Sequence, residues 1–322
     1  MTRILTGIQA TGTPHLGNIL GAILPAIELS KNPSFDSFFF IADLHALTQI
    51  KDAKALKQNT YEVAATWLAC GLNKEKTIFY RQSDIPEVCE LAWYLNCFFP
   101  YQRLQLAHSF KDKADRLEDI NAGLFTYPML MAADILLYNA NSIPVGKDQL
   151  QHIEFARDVA NRFNHSMGET FVIPQAKEEK RTNYIPGIDG SKMSKSKKNT
   201  INIFLPEKEL RKQILSIQTD STPVEEPKNP DTNIVYQLYS LIASEDKKQQ
   251  MKEDFLRGGY GYGHAKQALF EEILSNFTEA RTIYADLIAQ PKQIDLFLEE
   301  GREKASAIAK ETLQKVRQKL GF

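Results

Sequence analysis

The stretch GIDGSKMSKSKKNT, Gly187 to Thr200, places Lys192, Lys195, Lys197 and Lys198 within seven positions. Lysine is a compact cation on a flexible stem. Four of them on a glycine-flanked polar segment have two readings: a solvated charge run, or a mobile loop that folds positive charge onto a small polyanion. The net charge of the chain is −1, so a broad basic face for a long polyanion is not expected.

A second stretch, Gly7-Ile-Gln-Ala-Thr-Gly12-Thr13-Pro14-His15-Leu16-Gly17-Asn18, follows an apolar run and opens a helical one. Its glycines have the spacing of a phosphate loop, but the Lys-Ser/Thr that completes one is missing, and so is the GxGxxG spacing of a dinucleotide site. What remains is a turn with Thr13 as the expected N-cap and Pro14 as the first helical residue. His15 then falls in the first turn, where unpaired N–H groups favour a phosphate. Gly17 leaves room for a ligand against the helix. The plain alternative is an ordinary turn with a surface histidine. No lysine lies in this loop, so an anion held here needs cations from elsewhere.

A carboxylate stands out further along. On a helix expected to start near Pro128, Asp134 shares a face with Leu130, Met131, Leu137 and Tyr138. A buried carboxylate demands a donor, either internal or from a ligand. Met131 reads as core packing or a pocket wall. Gln149 reads as a helix-capping residue or a contact for a small molecule. His45, in DLHALT past a strand end, lies where open α/β sheets bind ligands; a solvated loop histidine fits as well.

These residues need a scaffold. RILTGIQ, SFFFIADLHAL, KTIFYRQS and NSIPVG read as strands, separated by helical patterns such as KALKQNTYEVAATWLACG and KDQLQHIEFARDVANRF. HLGNILGAILPAIELS reads as a helix broken near Pro25. The alternation predicts an α/β fold, a Rossmann-like parallel sheet forming a nucleotide-binding domain over residues 1–200. After a boundary near Asn202–Pro206 strands vanish, and residues 201–322 are expected to form an all-helical domain whose final helix packs back on the first. The chain has 322 residues, 43% of them hydrophobic and 25% charged, enough for a sizeable core. Cys70, Cys89 and Cys97 lack metal-site spacing and read as reduced, buried packing residues. No basic-then-apolar leader and no apolar run of about 18 residues is visible. The expectation is a cytoplasmic protein without a membrane span.

PHLGN after the first strand and KMSKS after the last sheet elements resemble the two signatures of class I aminoacyl-tRNA synthetases, with Leu16 and Asn18 as variants in the first. GIQATGTPHLGNILGA, DLHALT, SFKDKADR and TYPMLMAADILLYNANSIPVGKDQLQHIEFARDVANRFN are similar, in order and spacing, to the tryptophanyl-tRNA synthetase family; Leu5 stands where relatives carry an aromatic residue. The resemblance implies activation of L-tryptophan by ATP with Mg2+, transfer to tRNA(Trp), and a homodimer. It implies that Gln9, Ala10, Thr11, Gly17, Asn18, Gly146, Lys147, Asp148, Ile185, Lys192, Met193, Ser194, Lys195 and Ser196 surround ATP. It also implies that Lys192, Lys195, His15 and Lys113 act on the phosphates, and that Asp134 takes the indole N–H beside Met131, Gln149 and His45. No dedicated metal ligands are expected. Lys310, Lys315, Arg317 and Lys319 are candidates for an anticodon stem, and ELAWYLNCFFPYQRL for a subunit interface or a buried helix. Competing readings are a tyrosyl-tRNA synthetase, another nucleotidyltransferase with the same signatures, and a non-catalytic RNA-binding relative.

Overall fold

A computed structural model describes residues 2–107, 120–178 and 184–322. The expected phosphate contact Lys113 lies outside the described residues, as does the side chain of Asp148. The strands β1 (Thr2–Gln9), β2 (Phe35–Ala42), β3 (Thr77–Arg81), β4 (Ser142–Val145) and β5 (Gln175–Glu178) form one sheet in the order β3-β2-β1-β4-β5. Every pairing in it is parallel. β5 has the sequence QAKE, which carries no apolar alternation, and its ladder with β4 makes it a strand.

The helices in chain order are α1 (Leu16–Asn18), α2 (Leu24–Ser30), α3 (Asp43–Ala46), α4 (Ala53–Ala69), α5 (Glu87–Phe98), α6 (Tyr101–Leu104), α7 (Ala122–Leu137) and α8 (Leu150–Met167). Beyond residue 200 come α9 (Glu207–Leu215), α10 (Ile234–Ser240), α11 (Glu245–Arg257), α12 (Tyr262–Ala289) and α13 (Pro291–Leu320). Side chains of β2 point alternately to two cores, as the period of a strand requires. Phe39 and Ile41 join one cluster with α4 and the later helices, and Phe38 and Phe40 join another with α5, α7 and α8. The first cluster runs without a break from Ile8 through Ile201 to Leu298, so the helices after residue 200 share a core with the sheet.

α13 spans both clusters. Ile294 and Leu298 pack on one side, and Ala305, Ala309 and Leu313 on the other. Between them it crosses the edge strand β3 at Gly301, where an added Cβ would lie 1.8 Å from the Phe79 carbonyl oxygen. Only glycine permits that approach, and the crossing covers an edge strand. Farther along, Arg317 donates to both carboxylate oxygens of Glu90 on α5, at 2.5 and 2.6 Å, and Lys315 pairs with Glu311 at 2.7 Å. Arg317 is therefore a strut between α13 and α5.

Several local expectations need correction. The break near Pro25 is a π-helical turn at Ile19–Ile23, upstream of the proline, and Pro25 sits in the first turn of α2. Proline has no N–H to offer the preceding turn, and widening that turn accommodates the loss. α7 does not begin near Pro128; Asn121 caps it by accepting the Leu124 N–H at 3.1 Å, and Pro128 lies inside the helix. Cys89 and Cys97 are exposed and Cys70 is partly buried. Their spacing puts Cys89 and Cys97 on the outer face of α5 with Trp93, which is 68% exposed.

Candidate active site

The strand order reverses between β1 and β4, and at the carboxyl ends of these strands an open cleft of about 1000 Å³ lies beside the sheet. Gln9 at the end of β1, Thr11 and His15 in the loop after it and Gly17 and Asn18 in α1 line it, with Gly146, Lys147 and Gln149 from the segment after β4. Ile185, Lys192, Met193, Ser194, Lys195 and Ser196 close the third side. Two stretches separated by more than 150 positions thus face each other across one cavity. Ala10 is a correction: it is fully buried in the core and does not line the cleft, and its carbonyl accepts Asn59 Nδ2 at 3.2 Å.

The first loop is built differently from its expected form. His15, not Thr13, is the N-cap: its Nδ1 accepts the Asn18 N–H and the Asn18 side chain accepts the His15 N–H, both at 3.2 Å. This is a reciprocal capping box. The Thr13 hydroxyl instead donates to Glu62 of α4 at 2.6 Å. The first-turn amides are also engaged, Leu16 N–H with the Ile201 carbonyl at 2.8 Å and Gly17 N–H with Met193 Sδ at 3.3 Å. An anion here is therefore met by side-chain donors and cations, and not by bare helix N–H groups. Gly17 lines the cleft, and a Cβ there would come within 2.9 Å of His15 Nδ1 and 3.3 Å of Met193 Cβ, so packing within the protein also favours glycine.

The lysine segment is docked on this loop. Lys195 Nζ donates to the Gly12 carbonyl at 2.5 Å. Asn199, 2% exposed, ties the segment together: its Oδ1 accepts the Ser194 N–H at 2.8 Å, and its Nδ2 donates to Asp189 at 2.7 Å and to the Lys192 carbonyl at 3.2 Å. Met193 is the apolar peg, 5% exposed, its N–H bonded to the Ile185 carbonyl at 2.8 Å. Lys192, Lys197 and Lys198 are exposed.

Burial, and then the nearby Lys195 charge, lower the His15 pKa to about 4. The ring is neutral near pH 7, and because Nδ1 accepts from Asn18, Nε2 carries the proton and can donate into the cleft. Burial also lowers Lys195 to about 8, opposed by the charge of Glu62. A partly dehydrated ammonium of this kind gains most from an arriving phosphate, because the anion restores the interaction that water no longer supplies.

Asp134 sits behind the cleft, which does not extend to Asp134, Met131 or His45. The carboxylate is 2% exposed, and its pKa is raised by burial, opposed by hydrogen bonds from His45 and Gln82. His45 Nε2 lies 3.0 Å from Oδ2, while Gln82 Nε2 donates to Oδ1 and Oδ2 at 2.9 and 2.8 Å. Tyr127 sets its ring edge-on to His45 at 6.2 Å and bonds His152 Nε2 through its hydroxyl at 2.6 Å. Met131 is partly buried on the same helix. Gln82, Tyr127, Glu62 and Asn199 were missed in the sequence. Gln82 was within reach, since it comes directly after β3 and the strand-end rule that selects His45 selects it too.

Comparison with known proteins agrees with this geometry. The chain is 45% identical over 323 residues to a tryptophan–tRNA ligase of Fusobacterium nucleatum, an alignment covering 100% of this chain and 98% of that one. It is 47% identical over 332 residues to the tryptophan–tRNA ligase of Pseudomonas aeruginosa, covering 100% of this chain and 74% of the relative. Its fold superposes on the tryptophanyl-tRNA synthetase from Campylobacter jejuni complexed with ADP and tryptophan with a TM-score of 0.94, at 43% identity and 100% coverage of both chains. A family model for class I tRNA synthetases (W and Y) matches residues 1–278, and the chain belongs to that family.

Proposed function

We propose that this protein is a tryptophan–tRNA ligase. In the first step the carboxylate of L-tryptophan attacks the α-phosphorus of MgATP, forming tryptophanyl-adenylate and releasing pyrophosphate. The nucleophile is already an anion, so no general base is needed, and the work of the site is positioning and charge balance. Lys195 and Lys192 face the β- and γ-phosphates and offset the charge that moves onto the leaving group, with the His15 Nε2–H as a neutral donor beside them. Gln9, Thr11, Asn18, Gly146 and Lys147 hold the nucleotide. Magnesium enters as part of the substrate on the phosphate oxygens; among the described residues no group of three metal-ligating side chains is present. Lys113, outside the described residues, adds a further phosphate contact.

Asp134 selects the side chain. Four acceptor positions are available on a carboxylate. His45 and Gln82 occupy two on Oδ2 and Gln82 one on Oδ1, which leaves one for the indole N–H. An amino acid lacking that N–H leaves a buried acceptor position unused and is rejected. Met131 walls the ring, and Gln149 holds the amino-acid backbone. In the second step tryptophan passes to the 2′-hydroxyl of the terminal adenosine of tRNA(Trp), in the cytoplasm. The helices after residue 200 meet the anticodon arm. Two copies associate through the outer face of α5 and the adjoining α6 region, where Trp93, Tyr101 and Leu106 are 68%, 60% and 54% exposed.

One observation carries the reading: the Lys195 ammonium sits on the Gly12 carbonyl inside the cleft, joining the two signature segments. The test is exchange of labelled pyrophosphate into ATP with each of the twenty standard amino acids in turn. Exchange dependent on tryptophan supports it. Exchange dependent on tyrosine, or on none of the twenty, overturns it.

A further inference from the structure

α4 reaches the first signature loop with two side chains one turn apart. Asn59 Nδ2 donates to the Ala10 carbonyl at 3.2 Å, and Glu62 Oε2 accepts the Thr13 hydroxyl at 2.6 Å. Gln58 Nε2 donates to the other Glu62 oxygen at 3.0 Å, which holds the carboxylate in one place. Gly12 lies between these two anchors, and its carbonyl is where Lys195 Nζ rests, at 2.5 Å. The seat of the ammonium is thus fixed by α4, an element with no residue lining the cleft. The catalytic reading gives Lys195 a task once ATP is bound but leaves unexplained what holds it beforehand.

We propose, on the reading of the cleft as an ATP-activating site, that Glu62 is a positioning residue for Lys195: it anchors Thr13, fixes the Gly12 seat, and sets a carboxylate behind that seat until the triphosphate takes the ammonium over.

The groups around Lys195 come from several elements. His15, from the first loop, is neutral near pH 7. Lys192 and Lys197 share the lysine's own segment, and Tyr284 of α12, stacked on Phe204 at 3.9 Å, stands beside Thr13 and Glu62. Burial and the Glu62 charge keep that phenol protonated. Burial pulls Lys195 down to about 8, and Glu62 is the charge that opposes it among the described residues. Removing the charge therefore moves deprotonation of Lys195 toward neutrality. A neutral amine cannot offset the charge on departing pyrophosphate.

Glu62→Gln removes the charge while its amide oxygen still accepts from Thr13, and Gln58 can turn its own amide oxygen to accept from the new NH2 group. The direct measurement is the titration of Lys195 in the unliganded full chain by competitive acylation between pH 6 and 10, read by peptide mass spectrometry. We expect the midpoint to fall by roughly one unit in Glu62→Gln and by less in Glu62→Asp. The alkaline limb of kcat/KM for ATP in pyrophosphate exchange moves down by the same amount, because that quantity reports the free enzyme. In a Lys195→Arg background the same Glu62→Gln change leaves the limb where it was. An unshifted Lys195 midpoint in Glu62→Gln overturns the proposal, and so does an equal shift of the limb in the arginine background. The acylation readout needs no catalysis, so a chain that fails to activate tryptophan refutes the functional reading while this proposal is still decided.

Discussion

Asn199→Ala removes the side chain that holds the lysine segment in its docked form. Leaving aside its bonds to the exposed Asp189 and the half-buried Ser191, the substitution strips two bonds to backbone: the Ser194 N–H on Oδ1 at 2.8 Å and the Lys192 carbonyl on Nδ2 at 3.2 Å. At about 1 kcal/mol net each, the docked arrangement loses about 2 kcal/mol relative to an undocked one. That corresponds to ~30-fold if docking must precede the chemical step. Asp134 and its partners lie elsewhere in the fold, so tryptophan binding without ATP is left untouched. The assay pairs single-turnover adenylate formation, by rapid quench, with equilibrium dialysis of labelled tryptophan. The expected result is a ~30-fold slower adenylate step with an unchanged tryptophan Kd. An adenylate rate equal to the parent's refutes the claim that Asn199 organises this segment. An equal loss in both measurements refutes the separation of the lysine segment from the Asp134 cluster.

The lowered His15 pKa means that the unfolded chain binds more protons than the folded one between pH 6.5 and about 4, so this part of the stability is complete above pH 6.5 and is lost as the pH falls. By pH 4.5 the loss is on the order of 2–3 kcal/mol, and urea melts of His15→Asn should lack that component; parallel pH dependence in mutant and parent contradicts the neutral histidine. Gly301→Ala drives a methyl group into the Phe79 carbonyl and should lower Tm by roughly 4–10 °C; an unchanged melting curve contradicts the edge crossing. Trp93→Glu puts a charge on the exposed stripe of α5 and should shift sedimentation from dimer to monomer, while an unchanged dimer places the interface elsewhere.

The parts of the site that could be read from the chain are those whose chemistry is local. The lysine cluster, the Gly-Thr loop and the strand–helix alternation keep their meaning whatever the tertiary structure, and they led to the cleft. Asn199 and Glu62 did not stand out, because each is an ordinary polar residue until folding brings a distant loop against it. Ala10 was placed on the wrong side of its backbone; strict alternation with Gln9 and Thr11 points its methyl into the core. Thr13 and Pro14 form a good generic helix start, but the ring of His15 makes a capping box there and frees the threonine for Glu62. A proline is favoured in the first turn of a helix, which drew the start of α7 to Pro128, whereas the Asn121 cap lies upstream. The cysteines of α5 sit in apolar text, and only the folded helix separates its buried face, with Leu91 and Leu95, from the exposed one that carries Cys89, Trp93 and Cys97.

The lysine that bridges the two signature segments should act on the departing pyrophosphate and not on the amino acid. Single-turnover adenylate formation by Lys195→Ala, measured beside its tryptophan Kd, tests this most directly. A rate reduced by roughly 100-fold or more with tryptophan affinity intact is the predicted result; a mutant that forms adenylate as fast as the parent contradicts it.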